Sequence, residues 1–310
     1  MSRRSIGSAR RWVYVLLGLA VLSACAAPDR PGRPRGIPPA ALSLLRPDSV
    51  RTATIYPGVS YHYLWSPRGP WGVHVVEAGI RGRCDLAFEV LRPTVRWGGG
   101  QGRARVSEMV EDTGPTVLAA VNGDFFTPQG APLGVEVVDG VVGSWTARPS
   151  FAWRAGADPW MGTAVSDGRA VLFGWPVDRR RGDGETEAIG GFPDLIDRGR
   201  RVGDLEVDGR PSFAAARHPR TAVGFDDADG TVWLVVVDGR QTPYSAGMTL
   251  PELASLFEAL GVEEALNLDG GGSSALVLAS GTMNRPSDVT GERPVVNALA
   301  LVRKPSGCRF

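Results

Sequence analysis

Four clusters of polar residues and glycines sit where apolar, strand-like runs begin or end, and this recurrence constrains the fold more than any other feature. They are Asn122-Gly123-Asp124, Arg217 to Ala222, Asp238-Gly239-Arg240, and Asn267 to Ser274. Strand ends on a rigid sheet are where reactive groups are presented. The chain carries Gly 41 and Pro 24 in 310 residues, so turns are many and a mixed, strand-rich fold is favoured over a helical bundle, while a coiled coil or a multi-span membrane protein is excluded. Lys+Arg 34 against Asp+Glu 33 gives no global field favouring nucleic acid.

The periodicity predicts strands over Trp71 to Ala78, Asp85 to Leu91 and Thr116 to Val121, and a short helix from Val106 to Val110. Asp139-Gly140 marks a hairpin between Val135 and Val142. Arg220 to Phe225 and Thr231 to Val237 flank an acidic turn whose register does not fit an EF-hand. Residues 178–187 read as a solvated loop. Thr249 and Glu252 form a capping box for a helix from Leu250 to Leu260, which Gly261 ends. A strand from Ala265 to Leu268 then delivers Asp269, and Val295 to Val302 closes the sheet. No repeat or linker divides residues 51–310. The expectation is one α+β domain with a mixed, largely antiparallel sheet and a few flanking helices.

Residues 1–24 read as an export signal: a basic segment with Arg3, Arg4, Arg10 and Arg11, then an apolar run from Trp12. Leu22-Ser23-Ala24-Cys25 resembles the bacterial lipobox, which implies cleavage before Cys25 and lipidation of its thiol. Removing residues 1–24 deletes four arginines and no acid, turning the formal +1 into −3. The proline-rich stretch 25–50 reads as a tether. The implied location is the outer membrane or cell surface, with the membrane as a partner through Cys25. Cys84 and Cys308 remain as a candidate disulfide in an oxidising compartment.

Each cluster suggests chemistry. Asn122 and Asp124 beside Phe125 and Phe126 suit a sugar, with polar groups for hydroxyls and a ring for the pyranose face. Arg217, Arg220 and Thr221 suit a phosphate, because guanidinium forks match its oxygens. Asp238 is a candidate base or metal ligand, followed by Arg240, Ser245 and Glu252, the last also a capping residue. Asn267, Asp269, Gly270, Gly271, Gly272, Ser273 and Ser274 form the most specific cluster. Consecutive glycines allow backbone N–H groups to converge on an anion, and two serines add donors. The run lacks the lysine of a Walker loop and is not a dinucleotide fingerprint. His218 reads as structural.

Taken in order, Asn122-Gly-Asp-Phe-Phe, Arg217-x-Pro-Arg220-Thr-Ala-x-Gly224, Asp238-Gly-Arg240, Ser245-x-Gly247-x-Thr-Leu-x-Glu252-Leu and Asn267-Leu-Asp269-Gly-Gly-Gly-Ser-Ser resemble the phosphodiester glycosidases. This is the catalytic-domain family of the enzyme that uncovers mannose 6-phosphate by removing a capping N-acetylglucosamine. Ala188-Ile-Gly-Gly191 and Arg293-Pro-Val-x-Asn297 fit it as well, so the similarity spans roughly residues 70–303. Asn122, Asn267 and Asn297 lie in matched segments, which leaves Asn284 as the one asparagine without a reading. The resemblance implies hydrolysis of a sugar-1-phosphodiester at the glycosidic carbon, releasing a sugar such as N-acetylglucosamine from an envelope or extracellular phosphoglycan. Arg220, Arg240 and the Gly270 to Ser274 loop would hold the phosphate, and Asn122 would grip the sugar. Asp269, Asp124 or Asp238 would activate water or stabilise the oxocarbenium-like centre.

The sequence requires no cofactor, although three acids on different strand ends could instead gather Ca²⁺ or Mg²⁺. Two other functional classes use the same residues: a non-catalytic lipoprotein that binds phosphoglycans, and a metal-dependent phosphodiesterase that cleaves P–O.

Overall fold

Trp71–Gly79 and Thr231–Val237 are buried along their whole length. Both lie at the centre of an eight-stranded sheet with the order Ser49–Tyr56, Val59–Ser66, Trp71–Gly79, Thr231–Val237, Arg220–Asp226, Glu264–Asn267, Asp194–Asp197, Arg200–Arg201. Side chains alternate between the faces of a strand, and here each face has its own core. Val232, Leu234 and Val236 join Phe88, Val121 and Leu299 of a second sheet. Val235, Val237, Val73 and Val75 pack instead with Leu253, Phe257 and Leu260 of the helix Leu250–Leu260. A strand covered on both sides has no polar face to display, so the polar partners in Trp71–Gly79 are buried too. His74 is held by Tyr61 and Asp238, and Glu77 by His62.

The second sheet runs Gly281–Thr282, Leu276–Leu278, Val117–Asn122, Ala298–Arg303, Leu86–Leu91. A third, five-stranded sheet contains Glu136–Val138, Glu187–Gly190 and Pro149–Trp153. With a three-stranded sheet it encloses a small core around Val135, Ala152, Val171 and Phe173. Every ladder among the described strands is antiparallel. The class is therefore α+β with the sheets dominating. This computed structural model describes residues 35–94, 102–203, 205 and 210–304. The expected leader, Cys25 and Cys308 lie outside them. Cys84 is disulfide-bonded.

Local signals are realised closely. Thr249 Oγ1 accepts from the Glu252 N–H at 3.1 Å and the Glu252 carboxylate accepts from the Thr249 N–H at 2.9 Å, while Gly261 closes the helix at φ 82°. Asp139 and Gly140 have φ of 49° and 73°, as a tight hairpin turn requires. The tether expected over 25–50 is shorter than its proline content implies. Pro39–Leu45 is a helix that buries Ala41 and Leu45 beside the helix Leu250–Leu260, and Ser49–Tyr56 starts the large sheet. Proline is compatible with a first helical turn, where its missing N–H has no intrahelical partner to lose. The segment is pinned further upstream, where Glu77 accepts from the Arg35 N–H at 2.5 Å and the Gly36 N–H at 3.1 Å.

Candidate active site

Four strand ends meet where the two large sheets touch. Val237 pairs with Arg220, and Ala222 with Asn267, which places Asp238, Arg220 and Asp269 at one end of the eight-stranded sheet. Asn122 joins the second sheet to that edge. Its Nδ2 donates to the Asp269 carbonyl at 2.6 Å, and its Oδ1 accepts from Thr221 Oγ1 at 2.7 Å and from the Ala275 N–H at 3.1 Å. The Asp269 N–H in turn donates to the Gly123 carbonyl at 2.9 Å. Asp124 and Asp269 are thereby brought close enough for their charges to interact.

The two carboxyls differ in setting. Asp269 is half-buried, and burial pushes its pKa up to about 6 against the pull of Ser273, the Gly270 N–H and Arg293. Asp124 is buried, and desolvation pushes it up to about 7, opposed by the Gly134 N–H, Arg148 and the Phe125 N–H, while the Asp269 charge adds to the rise. Its Oδ2 accepts from the Gly134 N–H at 2.5 Å, and Asn297 Oδ1 holds its backbone N–H at 2.9 Å. A side chain at Gly134 or Gly190 would meet the Asp124 carboxylate at 2.8 Å, so both positions need glycine. Burial thus holds both carboxyls above the ordinary aspartate range, a perturbation that clusters at functional sites.

Arg240 stands over the turn that follows Asp269. Its guanidinium lies 3.0 Å from where a Cβ on Gly271 would stand, and its Nη2 is 3.3 Å from His218 Nδ1. Burial and the charges of Arg220 and Arg240 lower the His218 pKa, so the ring is neutral and accepts from Arg240. Arg293, paired with Asp288 at 2.8 Å, occupies the space a side chain on Gly272 would need. Among the described residues, every buried side-chain oxygen without a hydrogen-bond partner falls in these segments: Asp124 Oδ1, Asn267 Oδ1, Ser273 Oγ, Ser274 Oγ and Ser287 Oγ. Ser273 is near enough to favour the Asp269 charge without forming a bond of ordinary length. Unsatisfied buried groups are rare in native proteins and concentrate where a ligand completes them.

Other expected ligands are spent on the fold. Asp238 is fully buried: Oδ2 binds His74 Nε2 at 3.0 Å and Tyr244 Oη at 2.7 Å, and Oδ1 accepts from the Arg285 N–H at 2.8 Å. Both of its oxygens, expected for a base or a metal, are thus taken up by partners within the fold. Among the described residues no group of three or more His, Cys, Asp or Glu could hold a metal ion. Arg220, expected to fork onto phosphate, is buried and donates to the Met248, Phe213 and Ala216 carbonyls at 2.8, 2.8 and 3.0 Å. Desolvation there lowers its pKa to about 10. Arg217 is paired with Glu252 at 2.5 Å, and Ser245 Oγ donates to the Asp238 carbonyl at 2.6 Å. Asn122, expected on the sugar, and Thr221 form the inter-sheet joint, while Asn267 Nδ2 donates to the Phe192 carbonyl at 2.7 Å.

The glycine loop also differs from the expected nest. It is a single 3₁₀ turn over Gly271–Ser273. The N–H groups of Gly270 and Gly271 bind Asp269 Oδ1 and the Pro219 carbonyl, and those of Ser273 and Ser274 bind within the turn. Four of its amides are therefore spent within the protein, while the buried Ser273 and Ser274 hydroxyls lack partners. Sequence reasoning read His218 as structural, gave Arg293 and Asp288 no role, and left Asn284 without a reading. The last accepts the Leu276 N–H at 2.8 Å and donates to the Ser274 carbonyl at 3.0 Å, tying down the turn. A usable signal existed for Arg293, which stands in a matched motif four residues before Asn297.

Residues 115–302 match the phosphodiester glycosidase family, and the chain belongs to it. It is 29% identical over 224 residues, 68% of its own length, to the SPbeta prophage-derived uncharacterized protein YomE of Bacillus subtilis (strain 168). It spans about a third (31%) of that longer relative. Its fold is similar to the zebrafish N-acetylglucosamine-1-phosphodiester alpha-N-acetylglucosaminidase catalytic domain auto-inhibited by its pro-peptide. The TM-score is 0.61 at 22% identity, covering 83% of this chain and 85% of that one. A hypothetical protein from Synechocystis gives 0.61 at 19% identity, covering 83% of this chain and 64% of that one.

Proposed function

We propose that this protein hydrolyses sugar-1-phosphodiesters at the glycosidic bond, releasing a sugar such as N-acetylglucosamine from an envelope or extracellular phosphoglycan. The observation that carries the reading is the Asp269 carboxyl beside Ser273, at a turn whose buried Ser273 and Ser274 hydroxyls lack hydrogen-bond partners and over which the Arg240 guanidinium stands. A zebrafish protein whose name describes removal of N-acetylglucosamine from a 1-phosphodiester shares the fold. Water supplies the oxygen that becomes the sugar hydroxyl, the C1–O bond breaks, and the phosphate monoester leaves with the bonding pair. A phosphate leaving group needs charge stabilisation more than a strong acid. Arg240, Ser273 and Ser274 provide it, while Asp269 accepts the water proton or steadies the cationic sugar carbon.

The reading extends to location: residues 1–24 direct export, and lipid on Cys25 anchors the folded body to the cell envelope. The test is release of N-acetylglucosamine from a synthetic sugar-1-phosphodiester, run beside UDP-N-acetylglucosamine in water enriched in heavy oxygen. Label in the sugar supports the reading. Label in the phosphate indicates P–O cleavage instead, and binding without release indicates a phosphoglycan-binding protein.

A further inference from the structure

Three arginines stand around the candidate site outside any salt bridge with a described residue. Arg148 lies over the rings of Phe125 and Phe192 at 5.8 and 5.0 Å and interacts with the charge of Asp124. Arg240 stands over Gly271. Arg285 lies over the Tyr244 ring at 4.1 Å, and its carbonyl accepts from Gln241 Nε2, one residue beyond Arg240, at 2.8 Å. No salt bridge joins any of the three guanidinium groups to a described residue, Arg240 being bonded only to the neutral His218 ring, whereas Arg217 and Arg293 nearby are both neutralised by acids. Arg148 acts on the charge of Asp124, Asp124 and Asp269 act on each other, Arg240 stands over the turn that follows Asp269, and Arg285 meets the side chain of Gln241. A stacked guanidinium keeps its in-plane N–H donors available and loses less freedom when an anion binds.

One phosphodiester at Asp269 needs one such cation; two more remain. We propose that the site takes a polymer of sugar or polyol phosphates, with the reacting phosphodiester at Arg240 and neighbouring anionic groups of the same chain at Arg148 and Arg285. This rests on the reading of the site as a phosphodiester glycosidase. A nucleic acid fits less well, because bases stack on open aromatic faces and here Arg148 and Arg285 lie over Phe125, Phe192 and Tyr244.

The test is direct binding, without turnover, of orthophosphate, an oligomer of glycerol phosphate and a single-stranded oligonucleotide of matched charge. The glycerol phosphate oligomer is expected to bind at least roughly tenfold tighter than orthophosphate, because linked groups engage adjacent sites. Its affinity should fall more steeply with salt than that of orthophosphate. Arg148→Gln and Arg285→Gln should each erode the preference, their combination should abolish it, and Arg148→Lys with Arg285→Lys should restore most of it. Melting curves check that the variants are folded, and the salt dependence of the unaltered protein tests the idea should one of them fail. Equal affinity for oligomer and orthophosphate, or an oligonucleotide bound as tightly as the glycerol phosphate oligomer, overturns the proposal. Sugar release with no oligomer preference removes this inference alone. Absence of sugar release, together with an Arg240→Gln variant that binds orthophosphate normally, removes the underlying reading.

Discussion

Asn122 donates to the Asp269 carbonyl at 2.6 Å, so a residue read as a sugar ligand is the post that holds the acid in place. The same amide receives Thr221 from the large sheet and Ala275 from the loop beyond the glycines. Replacing Asn122 with Ala leaves a buried hydroxyl and a buried N–H without partners. The expected cost is about 2–4 kcal/mol, read as a lower urea midpoint, with turnover falling alongside. A variant as stable as the parent that merely raises KM would return Asn122 to the sugar.

Asp269→Asn should lower kcat by about a thousandfold or more while circular dichroism and melting temperature stay close to those of the parent. Asp238→Asn behaves differently. It alters a carboxylate that receives Tyr244, His74 and the Arg285 N–H, so its main effect is on stability.

The pH–rate profile should lose activity as pH falls through about 6, where Asp269 gains its proton. A profile that stays level across that value would remove Asp269 from the chemistry.

Asp124 gives a stability prediction whose sign is opposite to that of a salt-bridged acid. Its folded pKa, about 7, lies above the ordinary aspartate value of 3.8, so the fold favours the protonated form. Stability is complete below the unfolded value, declines as pH rises through this window and stays lower above it. Asp124→Asn should remove on the order of 2 kcal/mol of that decline. The check compares urea midpoints of both proteins at mildly acid and mildly alkaline pH. Glu187 and Glu264, also raised to about 7, contribute to both proteins and cancel in the difference.

The arginines should separate in the same assay. Arg240→Gln is expected to lower kcat/KM by about a hundredfold with little change in stability. Arg220→Gln should destabilise the protein, because its three carbonyl partners include Phe213 and Ala216 around the short helix Pro211–Ala215. Gly272→Ala tests the neighbouring wall. Its methyl would stand 2.2 Å from Arg293 and 2.3 Å from Asp288, so the pair must move and activity should drop.

Local physics made much of the fold legible in advance. The capping box at Thr249 and Glu252, the Asp139-Gly140 turn, the strands Arg220–Asp226 and Thr231–Val237 and the position of Asp269 all depend on residues close together in the chain. The motif order was enough to establish family membership. What sequence could not assign was the use made of each polar side chain, because that depends on which strand ends meet. Asp124, Asp238 and Asp269 look alike as residues beside glycine. Tertiary packing gave Asp238 to His74 and Tyr244, buried Asp124 under two glycines and left Asp269 partly open to solvent. Arg217, Arg220 and Arg240 were divided in the same way, among an acid, three carbonyls and an open turn. A hydrogen-bonding group buried by the fold must be satisfied from whatever surrounds it, and those surroundings come from distant parts of the chain.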